Sequence, residues 1–100
     1  MNLDQLRLVV TMFQDKLNEE LKGKYVRGNS KLHITTSLGS EAYNMDAYYK
    51  SKNPSDKTVI AACEVVKKDL LKLTIYKELK ITFSTECDAN GVLVKVRAVC

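Results

Sequence analysis

The chain has 100 residues, with 16 Lys plus Arg against 12 Asp plus Glu, a net charge of +4 and 45% hydrophobic residues. That length supports one domain with one core, and with 1 Pro and 4 Gly the composition excludes a disordered, fibrous or repetitive chain. The longest apolar run, Val59-Ile60-Ala61-Ala62-Cys63, falls far short of the ~20 residues that span a bilayer, so no membrane partner is expected.

Residues 2 to 22 read as an amphipathic helix. Leu3, Leu6, Val10, Phe13, Leu17 and Leu21 recur at steps of three and four, which places them on one face. Asn2 suits the N-cap with Gln5 as its return partner, and Gly23 suits a left-handed stop. Asp4 stands where a signal peptide carries a base, and no apolar segment of the signal type follows. A cytoplasmic protein is therefore expected.

From Lys24 the period changes to two. Lys24 to Arg27 reads as a short strand, Gly28-Asn29-Ser30 as a turn, and Lys31 to Leu38 as a second strand with Leu32, Ile34, Thr36 and Leu38 on one face. A two-residue loop at Gly39-Ser40 leads into a third strand, Glu41 to Lys50, whose apolar face carries Tyr43, Met45, Ala47 and Tyr49. This register sets Ile34 against Met45 and His33 against Asp46, with both apolar stripes on one side.

Lys50 to Asn53 reads as a linker. An Asn53 cap and Pro54 in the first turn start a second helix, which runs to about Leu73 on the spacing of Val59, Cys63, Val66, Leu70 and Leu73. Thr74-Ile75-Tyr76 suits either a helix or a strand. Two further strands alternate over Leu79 to Cys87 and Val92 to Cys100, with Asn90-Gly91 as a hairpin signal. Loops of two or four residues both keep the apolar stripes together. The two-residue loop is preferred because it sets Glu86 opposite Lys95.

The expected fold is thus α+β: helix, three strands, helix, two strands, in a mainly antiparallel five-stranded sheet with both helices on one face. One core should contain Leu6, Val10, Phe13, Leu17, Ile34, Met45, Val66, Leu70, Ile81, Phe83, Val94 and Val96. As topology alone, the element order resembles type III secretion chaperones and phage tail-terminator proteins. No residue motif is shared, so no residue role is carried over.

Catalytic chemistry has little to stand on. His33 is the only histidine, and beside Asp46 on an open sheet face it reads as a cross-strand charged pair. Cys63, Cys87 and Cys100 are widely spaced, form no C-x-x-C, and read as reduced thiols, two or three of them buried. No phosphate-binding glycine loop, zinc motif or calcium loop occurs, so neither a metal nor a nucleotide cofactor is expected.

The basic residues are the remaining lead. Lys22, Lys24, Arg27 and Lys31 form a window without acids, and the turn at 28–30 would crowd them into one hairpin that an acidic partner relieves. A second cluster, Lys67-Lys68, Lys72, Lys77 and Lys80, is diluted by Asp69 and Glu78. The open sheet face should carry His33, Tyr48, Lys95 and Arg97, and the last strand would offer an edge for pairing if it lies outermost. These features point to a small non-enzymatic protein-binding or self-associating module: an adaptor, inhibitor, chaperone or assembly protein. Its partner-binding residues would be Lys24, Arg27, Lys31, His33, Tyr48, Lys95 and Arg97, facing an acidic protein surface or a second copy. The alternative is a nucleic-acid-binding protein that uses the basic, hydroxyl-rich face.

Overall fold

The first helix, α1 (Leu3–Glu20), starts as its sequence dictates. Asn2 accepts the Gln5 N–H at 2.9 Å, and the Gln5 side chain accepts the Asn2 N–H at 2.9 Å, which closes a capping box. Gly23 turns the chain out of the helix with φ +87°, a left-handed conformation that glycine adopts without steric cost. The computed structural model describes residues 2–73 and 78–100. Thr74-Ile75-Tyr76, which suit either a helix or a strand, and Lys77 of the second basic cluster lie outside the described residues.

The remaining elements are β1 (Val26–Ser37), β2 (Ser40–Lys50), α2 (Asp56–Leu73), β3 (Lys80–Cys87) and β4 (Gly91–Val99). Among the described residues the sheet is antiparallel and four-stranded, in the order β1-β2-β4-β3. The α+β class holds, but the expected five strands are four and the first three are two. Gly28-Asn29 does not turn the chain back. It forms a bulge between Arg27, opposite Tyr49, and Ser30, opposite Ala47, so that one strand runs on through it. A bulge absorbs one extra residue while the partner strand continues to supply hydrogen bonds, and β2 is long enough to do so. The predicted strand at Lys24 to Arg27 is therefore only the beginning of β1, with Lys24 in the preceding turn.

Both hairpin registers differ from expectation by two residues. The first loop is Leu38-Gly39, which leaves Ile34 opposite Tyr43 and His33 opposite Asn44. The second spans Asp88 to Gly91, so Cys87 faces Val92 and Ser84, in place of Glu86, faces Lys95. A slip of two keeps every side chain on its own face, so the apolar stripes cannot distinguish these registers. Turn geometry decides. Leu38 and Gly39 both have positive φ, +53° and +80°, as a type I′ turn requires. Leucine is poorly suited to that region, and Leu38 is fully exposed at the hairpin tip. Leu38→Asn should therefore raise stability by about 1 kcal/mol, read as a higher urea midpoint at unchanged slope. An unchanged midpoint would show that Leu38 carries no strain.

The second helix begins at Asp56, two residues later than expected, because Ser55 and not Asn53 is its cap. The Thr58 N–H donates to the Ser55 hydroxyl at 3.4 Å. The Tyr25 hydroxyl accepts the Ser55 N–H at 2.8 Å and donates to the Ser55 carbonyl at 3.1 Å, tying the start of α2 to the turn after α1.

Both helices cover one sheet face: α1 lies on β2 and β4, and α2 lies on β3 and against α1. Leu6, Val10, Phe13, Leu17, Met45, Val66, Leu70, Ile81, Val94 and Val96 are buried, and Phe83 packs against them with its ring 6.5 Å from that of Phe13. Ile34 is the exception to the expected core. It is 49% exposed, because the helices are centred over the other three strands and leave the underside of β1 partly open. One cysteine, Cys63, is buried, whereas Cys87 and Cys100 are exposed.

Candidate functional site

The face of the sheet away from the helices is assembled in rows by the strand register. His33, Asn44, Arg97 and Thr82 form one row across β1, β2, β4 and β3. Lys31, Asp46, Lys95 and Ser84 form the next. Tyr48, Leu93 and Glu86 follow. Alternation places Lys50 and Lys80 on the same face. Five cations (Lys31, Lys50, Lys80, Lys95, Arg97) thus share the surface with the carboxylates of Asp46 and Glu86 and, at its end beside Tyr48, of Asp88.

Local contacts hold this face in place. His33 Nε2 lies 3.6 Å from Asp46 Oδ2, reached diagonally and not directly across the strands as expected. The Asn44 amide donates to Thr35 Oγ1 at 3.0 Å. Lys95 Nζ lies 3.5 Å from Glu86 Oε1, also diagonally. Exposed pairs of this kind contribute roughly 0–1 kcal/mol each, so they order the surface more than they stabilise it. A groove of about 360 Å³ runs between His33, Asp46, Thr82, Ser84, Lys95 and Arg97. It is open to solvent, and the side chains of His33 and Asp46 are each 36% exposed.

Tyr48 is less free than an outward-facing tyrosine suggests. Its ring lies beside Gly91, where an added Cβ would come 2.9 Å from Cζ. Its hydroxyl donates to Asp88 Oδ1 at 2.7 Å. The same Asp88 oxygen accepts the N–H groups of Asn90 at 2.7 Å and Gly91 at 2.9 Å. These donors hold the Asp88 carboxyl below its usual range, and the hydrogen bond to Asp88 raises the Tyr48 phenol above its own. Asp88 was legible only as a turn residue, because its tie to Tyr48 crosses 40 positions of sequence.

Of the seven residues singled out from sequence, Lys31, His33, Tyr48, Lys95 and Arg97 meet on the open face. Lys24 and Arg27 do not join them. Lys24 sits in the turn after α1, and Arg27 stands opposite Tyr49, on the helix side of the sheet. The basic hairpin expected from Lys22, Lys24, Arg27 and Lys31 does not form, because no turn brings Lys31 back to Arg27.

The strand order also changes which edge is free. β4 pairs on both sides, with β2 and β3, so it offers no edge for association. The outer strands are β1 and β3. Counted from the two-residue loop, the backbone groups of Thr36, Ile34 and Leu32 point away from β2. β1 contains no proline and no acid that would oppose pairing along this edge.

Burial pushes the Cys63 thiol up to about 12, which keeps it protonated at neutral pH. Among the described residues, no three His, Cys, Asp or Glu side chains converge as metal ligands would. Among the described residues, no helix is long and apolar enough to cross a membrane. Comparison with protein-family models, with curated proteins and with solved structures finds no match to this chain.

Proposed function

We propose that the protein is a non-enzymatic binding module that accepts a strand along the outer edge of β1, and that the strand it fits best is β1 of a second copy. The observation that carries this reading is the exposed, unpaired edge of β1 above an underside that the helices leave partly open. Ile34 is 49% exposed on that strand. Strand addition would satisfy the free backbone groups and cover apolar surface at the same time.

The residues of β1 are compatible with self-pairing. An antiparallel pair centred on Ile34 sets Ile34 against Ile34, Leu32 against Thr36, His33 against Thr35 and Lys31 against Ser37. No like charges face each other in that register. The contact is isologous, as a two-fold dimer requires. The open face, with Lys31, His33, Lys95 and Arg97, would then extend across both copies as one basic surface for an acidic partner.

Nucleic-acid binding has less support. Single strands are held largely by stacking on exposed rings, and of the two rings on this face Tyr48 is tied to Asp88 beside Gly91 and His33 lies against Asp46.

Light scattering should give the mass of a dimer for the wild type at roughly 100 µM. Ile34→Lys places a charge against its own copy and should give a monomer with an unchanged circular dichroism spectrum. A wild type that stays monomeric at that concentration, or an Ile34→Lys variant that stays dimeric, would overturn pairing through β1.

A further inference from the structure

At the end of the sheet opposite the Leu38-Gly39 loop, three lysines from separate segments open onto one concavity of about 540 Å³. Lys24 comes from the turn after α1, Lys50 from the last position of β2, and Lys52 from the segment before α2. Tyr25 and Val26 supply an apolar wall, and Asn90 reaches in from the β3–β4 loop. No carboxylate lines it. Asp88, on the β3–β4 loop, spends its Oδ1 on Tyr48 and on the N–H groups of Asn90 and Gly91. Among the described residues, the ion pairs are His33–Asp46 and Lys95–Glu86, and neither involves these lysines.

The concavity is built from anchored backbone. The Ser51 N–H donates to the Asn90 carbonyl at 3.0 Å, joining the end of β2 to the β3–β4 loop. The Lys24 and Tyr25 N–H groups both donate to the Leu21 carbonyl, at 3.1 and 2.9 Å, which fixes the turn that carries Lys24. The Tyr25 hydroxyl bonds Ser55 on the far side of Lys52. The three lysines are therefore brought to the rim of one concavity by the fold, and no carboxylate lines it between them. Like charges held together in this way lower the cost of binding an anion, since the anion relieves a repulsion already present.

We propose that Lys24, Lys50 and Lys52 form a binding site for a small phosphorylated organic molecule. The phosphoryl group would sit among the three ammonium groups, for which lysine is a suitable point-charge ligand. The organic part would lie against Tyr25 and Val26, the latter 71% exposed. The volume falls within the range of roughly 300–1,000 Å³ usual for small-molecule pockets. The α2 lysines offer no equivalent: Lys67, Lys68 and Lys72 are interspersed with Glu64 and Asp69 along the helix.

The test is titration of the full chain with ADP at low salt, followed through the backbone amide signals. Saturable shifts at Lys24, Ser51 and Lys52, with a Kd on the order of 1 mM or tighter, are expected. Inorganic phosphate should bind about tenfold more weakly, because it leaves the apolar wall uncovered. A Lys50→Gln, Lys52→Gln double variant should weaken ADP by about tenfold or more with an unchanged circular dichroism spectrum, and a Lys67→Gln, Lys68→Gln control should bind as the wild type does. Unsaturable shifts spread over all lysines, or equal affinity in the double variant, would overturn the site. Phosphate binding as tight as that of ADP would overturn its assignment to an organic phosphate.

Discussion

Replacing Phe13 with alanine should lower the stability of the folded protein by about 3–5 kcal/mol, the usual cost of removing a buried aromatic ring. Phe13 is fully buried at the middle of α1, and its ring lies 6.5 Å from Phe83 on β3 at an interplanar angle of 45°. It therefore couples the helix to the far side of the sheet. Little can collapse into the space it leaves, because Met45, Val94 and Val96, buried in the same core, are held by backbone ladders on both sides. A loss of that size is a large share of the roughly 5–15 kcal/mol that a domain possesses. With a urea slope of about 1–3 kcal/mol/M, the midpoint should fall by roughly 2 M. A fall of less than about 0.5 M would contradict the close packing of α1 on the sheet.

Gly91→Ala should be nearly as damaging, for a different reason. An added Cβ would lie 2.3 Å from the Tyr49 carbonyl oxygen and 2.9 Å from Cζ of Tyr48. The first clash is with the backbone of a central strand, so relief requires β2 and β4 to part. A cost of about 3 kcal/mol or more is expected, at the upper end for overpacking. The Tyr48–Asp88 hydrogen bond should be lost with it. Gly28→Ala is the informative control. There the closest atom is Lys50 Cε at 3.1 Å, the far end of a flexible side chain, and the cost should stay below about 1 kcal/mol. Equal midpoints for the two variants in urea would show that Gly91 is not a packing requirement.

Gly91 illustrates how a correct residue can carry the wrong reason. Asn90-Gly91 reads as a two-residue turn with left-handed backbone, yet neither residue has a positive φ. What the position requires is the absence of a side chain where β2 crosses close by, and that demand comes from a strand about 40 residues earlier. Conversely, Leu38 carries no turn signal and nonetheless adopts φ +53°, because Ser37 and Ser40 pair and the two residues between them must reverse the chain.

The candidate face was legible in large part. Alternation of polar and apolar residues assigns Lys31, His33, Tyr48, Lys95 and Arg97 to the side away from the helices, and a register error of two leaves that assignment intact. The concavity formed by Lys24, Lys50 and Lys52 was not legible. Its three lysines belong to three different segments, and no spacing along the chain relates them.

What the sequence determined by itself was local and periodic. Helical spacing and the capping box set α1, period-two alternation set the faces of all the strands, and the order of the two periods set the α+β class. Tertiary structure decided what depends on partners. It decided that Gly28-Asn29 is a bulge and not a turn, because β2 offers hydrogen bonds along the whole of β1. It placed β4 in the centre and β1 at an edge, and left Ile34 uncovered because two helices cannot blanket four strands. Side-chain periodicity reports which face a residue occupies. It carries no information on which strand lies beside it, and that choice is made by backbone hydrogen bonding and helix coverage over the folded sheet.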